Sequence, residues 1–143
     1  MKSFILILAL ISSTFAITFN CTFEIRTVTI PLYSCQNAIV SNIDDGEILT
    51  AVYGRHMSGK TNDDVKFFYI YDASHLPFFP RTENFFPNLE AIFIQRINIT
   101  ALSGDEVAPF ENLFFFRLDF SPLERIPGNF FDSNPLMQHI DFW

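Results

Sequence analysis

The sequence predicts a β-rich fold in which short strands recur every 24 residues behind a separate N-terminal β cap. The first observation is a repeat, because Leu89 and Leu113 begin the same apolar pattern 24 residues apart. Apolar residues alternate at the start of each copy, as in a strand with one buried face. The second is composition: 49% hydrophobic against 17% charged residues allows a packed core and argues against disorder.

Two complete copies of the repeat share five apolar positions. The first copy has Leu89, Ile92, Ile94, Ile99 and Leu102, and the second has Leu113, Phe116, Leu118, Leu123 and Ile126. Partial copies lie at Val65–Phe79, with one extra residue, and from Met137 to Phe142. One copy is too small to bury its own apolar side, so we expect the copies to stack on each other.

The repeats resemble the extracellular leucine-rich repeat, whose family has a period of about 20–29 residues. Ile126–Pro127 followed by Phe130–Phe131 is similar to the convex-side stretch of that subtype. The resemblance covers about residues 65–143 and implies a short right-handed solenoid of the α/β-horseshoe class, with one parallel strand per repeat. The ninth repeat position, which is usually Asn in this family, holds Ile97 and Ser121 here. We therefore expect looser or wider turns on that side.

Residues 1–16 have the pattern of a secretory signal peptide that is cleaved after Ala16. Lys2 supplies a basic start, Phe4–Ile11 is an apolar run, and small residues precede the cleavage point. The apolar run is too short to span a bilayer, which needs about 20 residues. The sequence therefore predicts a secreted, extracellular protein without a membrane span after cleavage.

Residues 17–64 are predicted to form the N-terminal β cap, which stacked repeats need to cover their first core face. In an oxidising compartment we expect a disulfide between Cys21 and Cys35. A disulfide-tied cap resembles the start of many secreted leucine-rich repeat proteins, particularly insect ones. The predicted cap elements are strands at Thr27–Ile30 and Ile48–Tyr53 and a turn at Asp44–Gly46.

Two sequons predict glycosylation at Asn20 and Asn98. Asn98 lies between the interior positions Ile97 and Ile99, just outside a strand, so it should face solvent. Asn20 is next to Cys21, which makes Asn98 the favoured acceptor.

The segment Gly54–Thr61 matches the phosphate-binding pattern G-x(4)-G-K-T. A true phosphate loop opens a helix, whose N-terminus helps to hold the anion. Here Asn62–Asp64 follows, and the five residues between Thr61 and Phe67 leave no room for a crossover helix. We therefore predict a polar loop that joins the cap to the first repeat.

Other functional classes find no support in the sequence. A net charge of −7 argues against nucleic-acid binding, which needs a basic surface. His56, His75 and His139 lie in separate segments without metal-ligand spacing. We accordingly predict no enzymatic activity, no catalytic residues, no cofactor and no metal.

The strand positions between the repeat apolar residues are predicted to form an exposed face that binds an unidentified extracellular protein. The predicted face comprises Phe67, Tyr69, Tyr71, Phe93, Gln95, Phe115, Arg117, Asp119, His139 and Asp141. Its rings could instead only cover a small sheet or pack under a cap loop. Two alternatives to recognition stay open: a truncated fragment of a longer receptor or matrix protein, and a carrier of a small apolar ligand in the Phe-rich interior.

The last partial repeat is predicted to leave an open apolar edge at Met137, Ile140 and Phe142. Such an edge exposes a solenoid core unless something covers it. Truncation of a longer product is the favoured explanation. A homodimer through this edge, or Trp143 folded over it, are the alternatives.

Overall fold

A computed structural model describes residues 17–41 and 49–143, which form seven strands and one short 3-10 helix. The strands are β1 Ile17–Thr27, β2 Pro31–Ser41, β3 Leu49–Tyr53, β4 Phe67–Ile70, β5 Ala91–Gln95, β6 Phe115–Asp119 and β7 His139–Phe142. The 3-10 helix is Asn62–Asp64. All seven strands belong to one sheet with the order β3-β1-β2-β4-β5-β6-β7.

The sheet is mixed, although the predicted β-rich class is confirmed. Strands β1 and β2 form an antiparallel hairpin, whereas the pairs β1–β3, β2–β4, β4–β5, β5–β6 and β6–β7 are all parallel. The expectation of one parallel strand per repeat fits β4–β7, and the antiparallel pair lies in the predicted β cap. Antiparallel strands can be joined by a tight turn, which is what the short cap uses.

The register of β4–β7 joins residues that are 24 positions apart. Phe67 pairs with Ala91, Ala91 with Phe115, and Phe115 with His139. Since side chains alternate along a strand, each strand directs one set of residues into the core and the other set to the opposite face. Phe68, Ile92 and Phe116 lie on the core face and are buried.

Aromatic rings fill much of the core. The Phe19 ring stacks on Phe68 with centroids 5.4 Å apart. Phe116 is fully buried, and its ring centroid lies 5.6–6.2 Å from those of Phe79, Phe130 and Phe131. Burying side chains of this size is the main favourable contribution to folding.

The predicted disulfide between Cys21 and Cys35 is confirmed, and it joins β1 to β2. The strand predicted at Thr27–Ile30 is wrong, because β1 ends at Thr27 and the chain turns before β2 begins at Pro31. The second predicted cap strand is present as β3. The signal peptide at 1–16 and the turn at Asp44–Gly46 lie outside the described residues.

The turns after β5 and β6 hold an apolar residue and a serine at equivalent positions. Ile97 is buried, and the Ser121 hydroxyl donates to the Ile99 carbonyl oxygen at 3.0 Å. Both turns contain a left-handed non-glycine residue, Arg96 and Phe120. Within the described part of the chain, no helix is long and apolar enough to cross a membrane.

Candidate binding face on the sheet

The parallel register places one residue of each repeat strand in a single row on the face opposite the core. Tyr69 pairs with Phe93, Phe93 with Arg117, and Arg117 with Asp141. Arg26, at the end of β1, is outside this register, but its guanidinium lies over the Tyr69 ring and extends the set of contacts beyond it. We call these five residues the cation–aromatic row.

Neighbours in the cation–aromatic row contact each other directly. The rings of Tyr69 and Phe93 stack with centroids 4.9 Å apart. The guanidinium carbon of Arg117 lies 4.8 Å from the Phe93 centroid, and that of Arg26 lies 5.8 Å from the Tyr69 centroid. Cations over aromatic faces attract the ring electrons, so both ends of the aromatic pair are covered by an arginine.

A polar network beside the row holds its side chains in place. The Tyr69 hydroxyl donates to Gln95 Oε1 at 3.3 Å, and Gln95 Nε2 donates to Asp119 Oδ2 at 3.1 Å. Arg117 Nε donates to Asp119 Oδ1 at 2.9 Å, while its Nη1 lies 3.7 Å from Asp141 Oδ2. The hydrogen bond to Asp119 raises the pKa of Arg117 above its ordinary value.

The network also explains a correction to the predicted face. Asp119 is buried rather than exposed, because Arg117 and Gln95 cover its carboxylate. The residue therefore positions its neighbours and is not itself a contact surface. A buried carboxylate needs such partners, since an unpaired charge is costly away from water.

The predicted exposure of Phe67 is also wrong. Phe67 is only 2% exposed and packs with Leu32 and Ala91 in a small second core. The cap hairpin carries Leu32 and the partly buried Val28 over this end of the face. The alternative that rings pack under a cap segment thus applies to Phe67, whereas Phe115 in the same register stays half-buried.

The hairpin leaves an open groove of about 280 Å³ between its tip and the sheet. Residues from both sides line it: Arg26, Thr27, Val28, Phe67, Tyr69, Phe93, Phe115 and Arg117. Partial burial in this groove raises the pKa of the Tyr69 hydroxyl. The groove presents half-buried rings flanked by two arginines, a composition typical of protein-binding surfaces.

The remaining predicted face residues surround the groove. Tyr71 is exposed and lies under the Arg96 guanidinium, with 5.4 Å between the guanidinium carbon and the ring centroid. His139 is exposed, and its ring lies 6.1 Å from that of Phe115. The accessible part of the face thus runs from Tyr71 and Tyr69 to His139 and Asp141.

The phosphate-loop pattern Gly54–Thr61 folds as a structural loop on the cap hairpin. His56 stacks on Phe23 with centroids 3.8 Å apart, and its ring nitrogens bond the Tyr33 hydroxyl and Asn62 Oδ1. The backbone N–H of Met57 donates to the same Tyr33 hydroxyl at 3.1 Å. These contacts tie the loop to β1 and β2.

The Asp64 carboxylate is bound by Lys60 and Thr61, the residues that would contact phosphate and metal in a nucleotide site. Its Oδ2 accepts hydrogen bonds from the Thr61 backbone N–H at 2.9 Å and from the Thr61 hydroxyl at 3.2 Å. Its Oδ1 lies 3.2 Å from Lys60 Nζ. The Thr61 N–H bond and the Lys60 side chain hold the pKa of this carboxyl below its ordinary value. A 3-10 helix of three residues follows, instead of the long helix of a phosphate loop.

The structure does not bring the predicted glycosylation sites or the three histidines together in one site. Asn20 in β1 and Asn98 in the loop after β5 are both exposed and lie in separate parts of the structure. His56, His75 and His139 lie in different loops and strands. In the ranges 17–41 and 49–143, no cluster of three or more His, Cys, Asp or Glu residues could hold a metal ion.

Sequence reasoning missed the contribution of the cap hairpin to the face. Arg26 was not a predicted site residue, yet it covers Tyr69. In β2, Tyr33 and Cys35 are buried on one face of the strand, and Leu32 and Ser34 are buried on the opposite face. This pattern was the available signal. A strand with two buried faces implies that something packs on each side.

No protein-family model matches the chain, and no curated protein or solved structure is significantly similar to it. Function therefore has to be inferred from the geometry of the face.

Proposed function

We propose that this chain is a secreted, non-enzymatic leucine-rich repeat protein that recognises an extracellular protein through its strand face. The carrying observation is the cation–aromatic row, in which Tyr69, Phe93 and Arg117 are stacked in register and half-buried. Aromatic and arginine side chains are the residues that most often dominate binding energy at protein interfaces.

Hydrogen bonds outside the strands support the repeat fold. The backbone N–H of Glu90 donates to Lys66 O at 2.8 Å, that of Phe114 to Glu90 O at 2.9 Å, and that of Gln138 to Phe114 O at 2.9 Å. After the strands, the Arg96 N–H donates to Asp119 O at 2.8 Å. Each bond joins neighbouring repeats, as expected when each unit stacks on the next.

The rigidity of the row favours recognition. Gln95 and Asp119 fix the side chains of Tyr69 and Arg117 before any partner binds. Less side-chain entropy is then lost on association, which strengthens binding for a given contact area. The disulfide of the cap and the expected signal peptide agree with an extracellular setting.

Site-specific photocrosslinking tests this function. A benzoylphenylalanine in place of Phe93 should yield a discrete adduct in extracellular fluid of the source organism, and excess wild-type protein should compete it away. The same group in place of Asn129, an exposed residue of the loop between β6 and β7, is the control. An absent adduct, or equal adducts at both positions, would contradict recognition through the row.

The carrier alternative is favoured by no observed feature of the interior. Core rings such as Phe19, Phe68, Phe86 and Phe116 contact neighbouring rings.

A further inference from the structure

Strand β7 is one of the two edge strands of the sheet, and large exposed apolar side chains lie on it and next to it. Ile140 is 51% exposed, Phe142 37% and Trp143 76%. Leu136, just before the strand, and Ile126 are exposed as well. Clustered exposed hydrophobic residues of this kind mark a surface that another molecule covers.

The backbone hydrogen bonds of β7 determine which of its residues face outward. The His139 N–H donates to Phe114 O at 3.0 Å, and the Trp143 N–H donates to Leu118 O at 3.1 Å. Backbone groups of successive strand residues point to opposite sides. The N–H and C=O groups of Ile140 and Phe142 therefore point away from β6 and can bond a further strand.

We propose that β7 pairs antiparallel with β7 of a second copy of the chain, about a two-fold axis at Ile140. An antiparallel pair bonds through residues whose backbone groups face each other. Only three registers satisfy this condition within β7: Ile140 opposite Ile140, Ile140 opposite Phe142, and Phe142 opposite Phe142.

Charge selects among these registers. Pairing Ile140 with Phe142 places Asp141 opposite Asp141 of the second copy, and like charges directly opposite are destabilising. Pairing Phe142 with Phe142 places Asp141 opposite Trp143 of the second copy, so the carboxylate gains no oppositely charged neighbour across the pair. Pairing Ile140 with Ile140 places His139 opposite Asp141 of the second copy, and the two-fold axis repeats this pair.

The selected register also matches side chains on both faces of the sheet. The two Ile140 side chains meet on the core side, where each is half exposed in the single chain. On the other face, the His139 imidazole can donate a hydrogen bond to the opposing carboxylate. Asp141 keeps its own Arg117 neighbour at 3.7 Å. The dimer leaves Phe93 accessible, so this proposal and the recognition proposal can fail independently.

Sedimentation equilibrium over a concentration series tests the dimer with purified wild-type protein and three variants. We expect a reversible dimer for the wild type. His139→Asp places two carboxylates opposite each other and should raise the dissociation constant about tenfold or more. The double variant H139D/D141H restores opposite partners and should regain most of the affinity. Ile140→Pro removes an outward N–H without removing a bond to β6, and should abolish the dimer.

A control variant and a folding measurement complete the test. His75→Asp, at an exposed histidine away from β7, is the matched control and should dimerise like the wild type. Circular dichroism checks that each variant is folded. If H139D unfolds, the dissociation constants of the double variant and of Ile140→Pro test the dimer instead. A monomeric wild type, an assembly larger than a dimer, or a dimer insensitive to H139D and Ile140→Pro would overturn the proposal.

Discussion

The guanidinium carbon of Arg117 lies 4.8 Å from the centroid of the Phe93 ring, while Nε of the same group donates to Asp119 at 2.9 Å. One arginine thus connects the aromatic ring of one repeat with a buried carboxylate of the next. This arrangement depends on the 24-residue register, because a shift of one residue would turn Phe93 into the core.

Replacing Arg117 with lysine should weaken the fold measurably. Lysine lacks the planar fork that bonds Asp119 and stacks on Phe93. We expect the free energy of unfolding to fall by about 1 kcal/mol, a modest value because the arginine is partly exposed. Urea denaturation measures the change. Arg55→Lys, at an exposed position of the cap loop, should leave stability unchanged within about 0.5 kcal/mol, and equal effects at both positions would contradict this role.

The two glycines of the phosphate-loop pattern should differ sharply in their tolerance of alanine. Gly54 has φ +132°, and a Cβ there would collide with the Cys21 carbonyl oxygen. Gly59 has φ +76°, with open space around the Cβ position. We expect Gly54→Ala to cost about 2–4 kcal/mol of unfolding free energy and Gly59→Ala about 1 kcal/mol.

Chemical denaturation of both glycine variants checks this order. A larger loss at Gly59 than at Gly54 would mean that the loop is not packed on the cap as described. The comparison separates a structural loop from a phosphate cradle, in which both glycines would serve the ligand.

Two phenylalanines of the same strand region should respond differently to truncation. Phe116 is fully buried among aromatic rings, whereas Phe120 is 68% exposed. Phe116→Ala should cost about 3–5 kcal/mol because it leaves a cavity. Phe120→Ala should change stability by no more than about 0.5 kcal/mol. Thermal unfolding of the pair measures the difference, and similar melting temperatures would contradict the core assignment.

Acid stability should depend on Asp64. Its pKa is lowered from 3.8, chiefly by the Thr61 backbone N–H and then by Lys60. A carboxyl with a lowered folded pKa stabilises the fold above its unfolded pKa, and this contribution is lost as pH falls through the folded pKa. Asp64→Asn should therefore lower stability at neutral pH and flatten its decline below about pH 4.

Denaturation midpoints between pH 2 and pH 7 measure this dependence on Asp64. Asp63→Asn removes a neighbouring carboxyl but leaves the Thr61 bond, so it should keep the wild-type decline. If Asp64→Asn and wild type lose stability in parallel as the pH falls, the ionised Asp64 carboxylate does not stabilise the fold at neutral pH, and the prediction is wrong.

The repeat strands could be predicted because their spacing is local and regular. Ile92 and Ile94, like Phe116 and Leu118, are alternating apolar residues, and all four are buried on one face. Tyr69, Phe93, Arg117 and Asp141 are 24 residues apart and were all predicted for the exposed face, and they pair with one another across β4–β7.

The cap could be predicted only in part, because its fold depends on distant contacts. Val28 and Ile30 are β-branched and favour a strand locally, but the hairpin needs a turn between β1 and β2. The burial of Phe67 follows from Leu32 lying above it. Neither relationship leaves a periodic signal in the sequence, so packing of the face rings under a cap segment could be named only as an alternative, without identifying Phe67 as the ring that is covered.

The most direct test of the account is the affinity of the partner captured at position 93 for two alanine variants. Phe93 is the centre of the cation–aromatic row, and Asn129 lies outside the face. We predict that Phe93→Ala raises the dissociation constant about tenfold or more, while Asn129→Ala changes it less than about twofold. Equal affinity of the two folded variants would show that the row is not the binding surface.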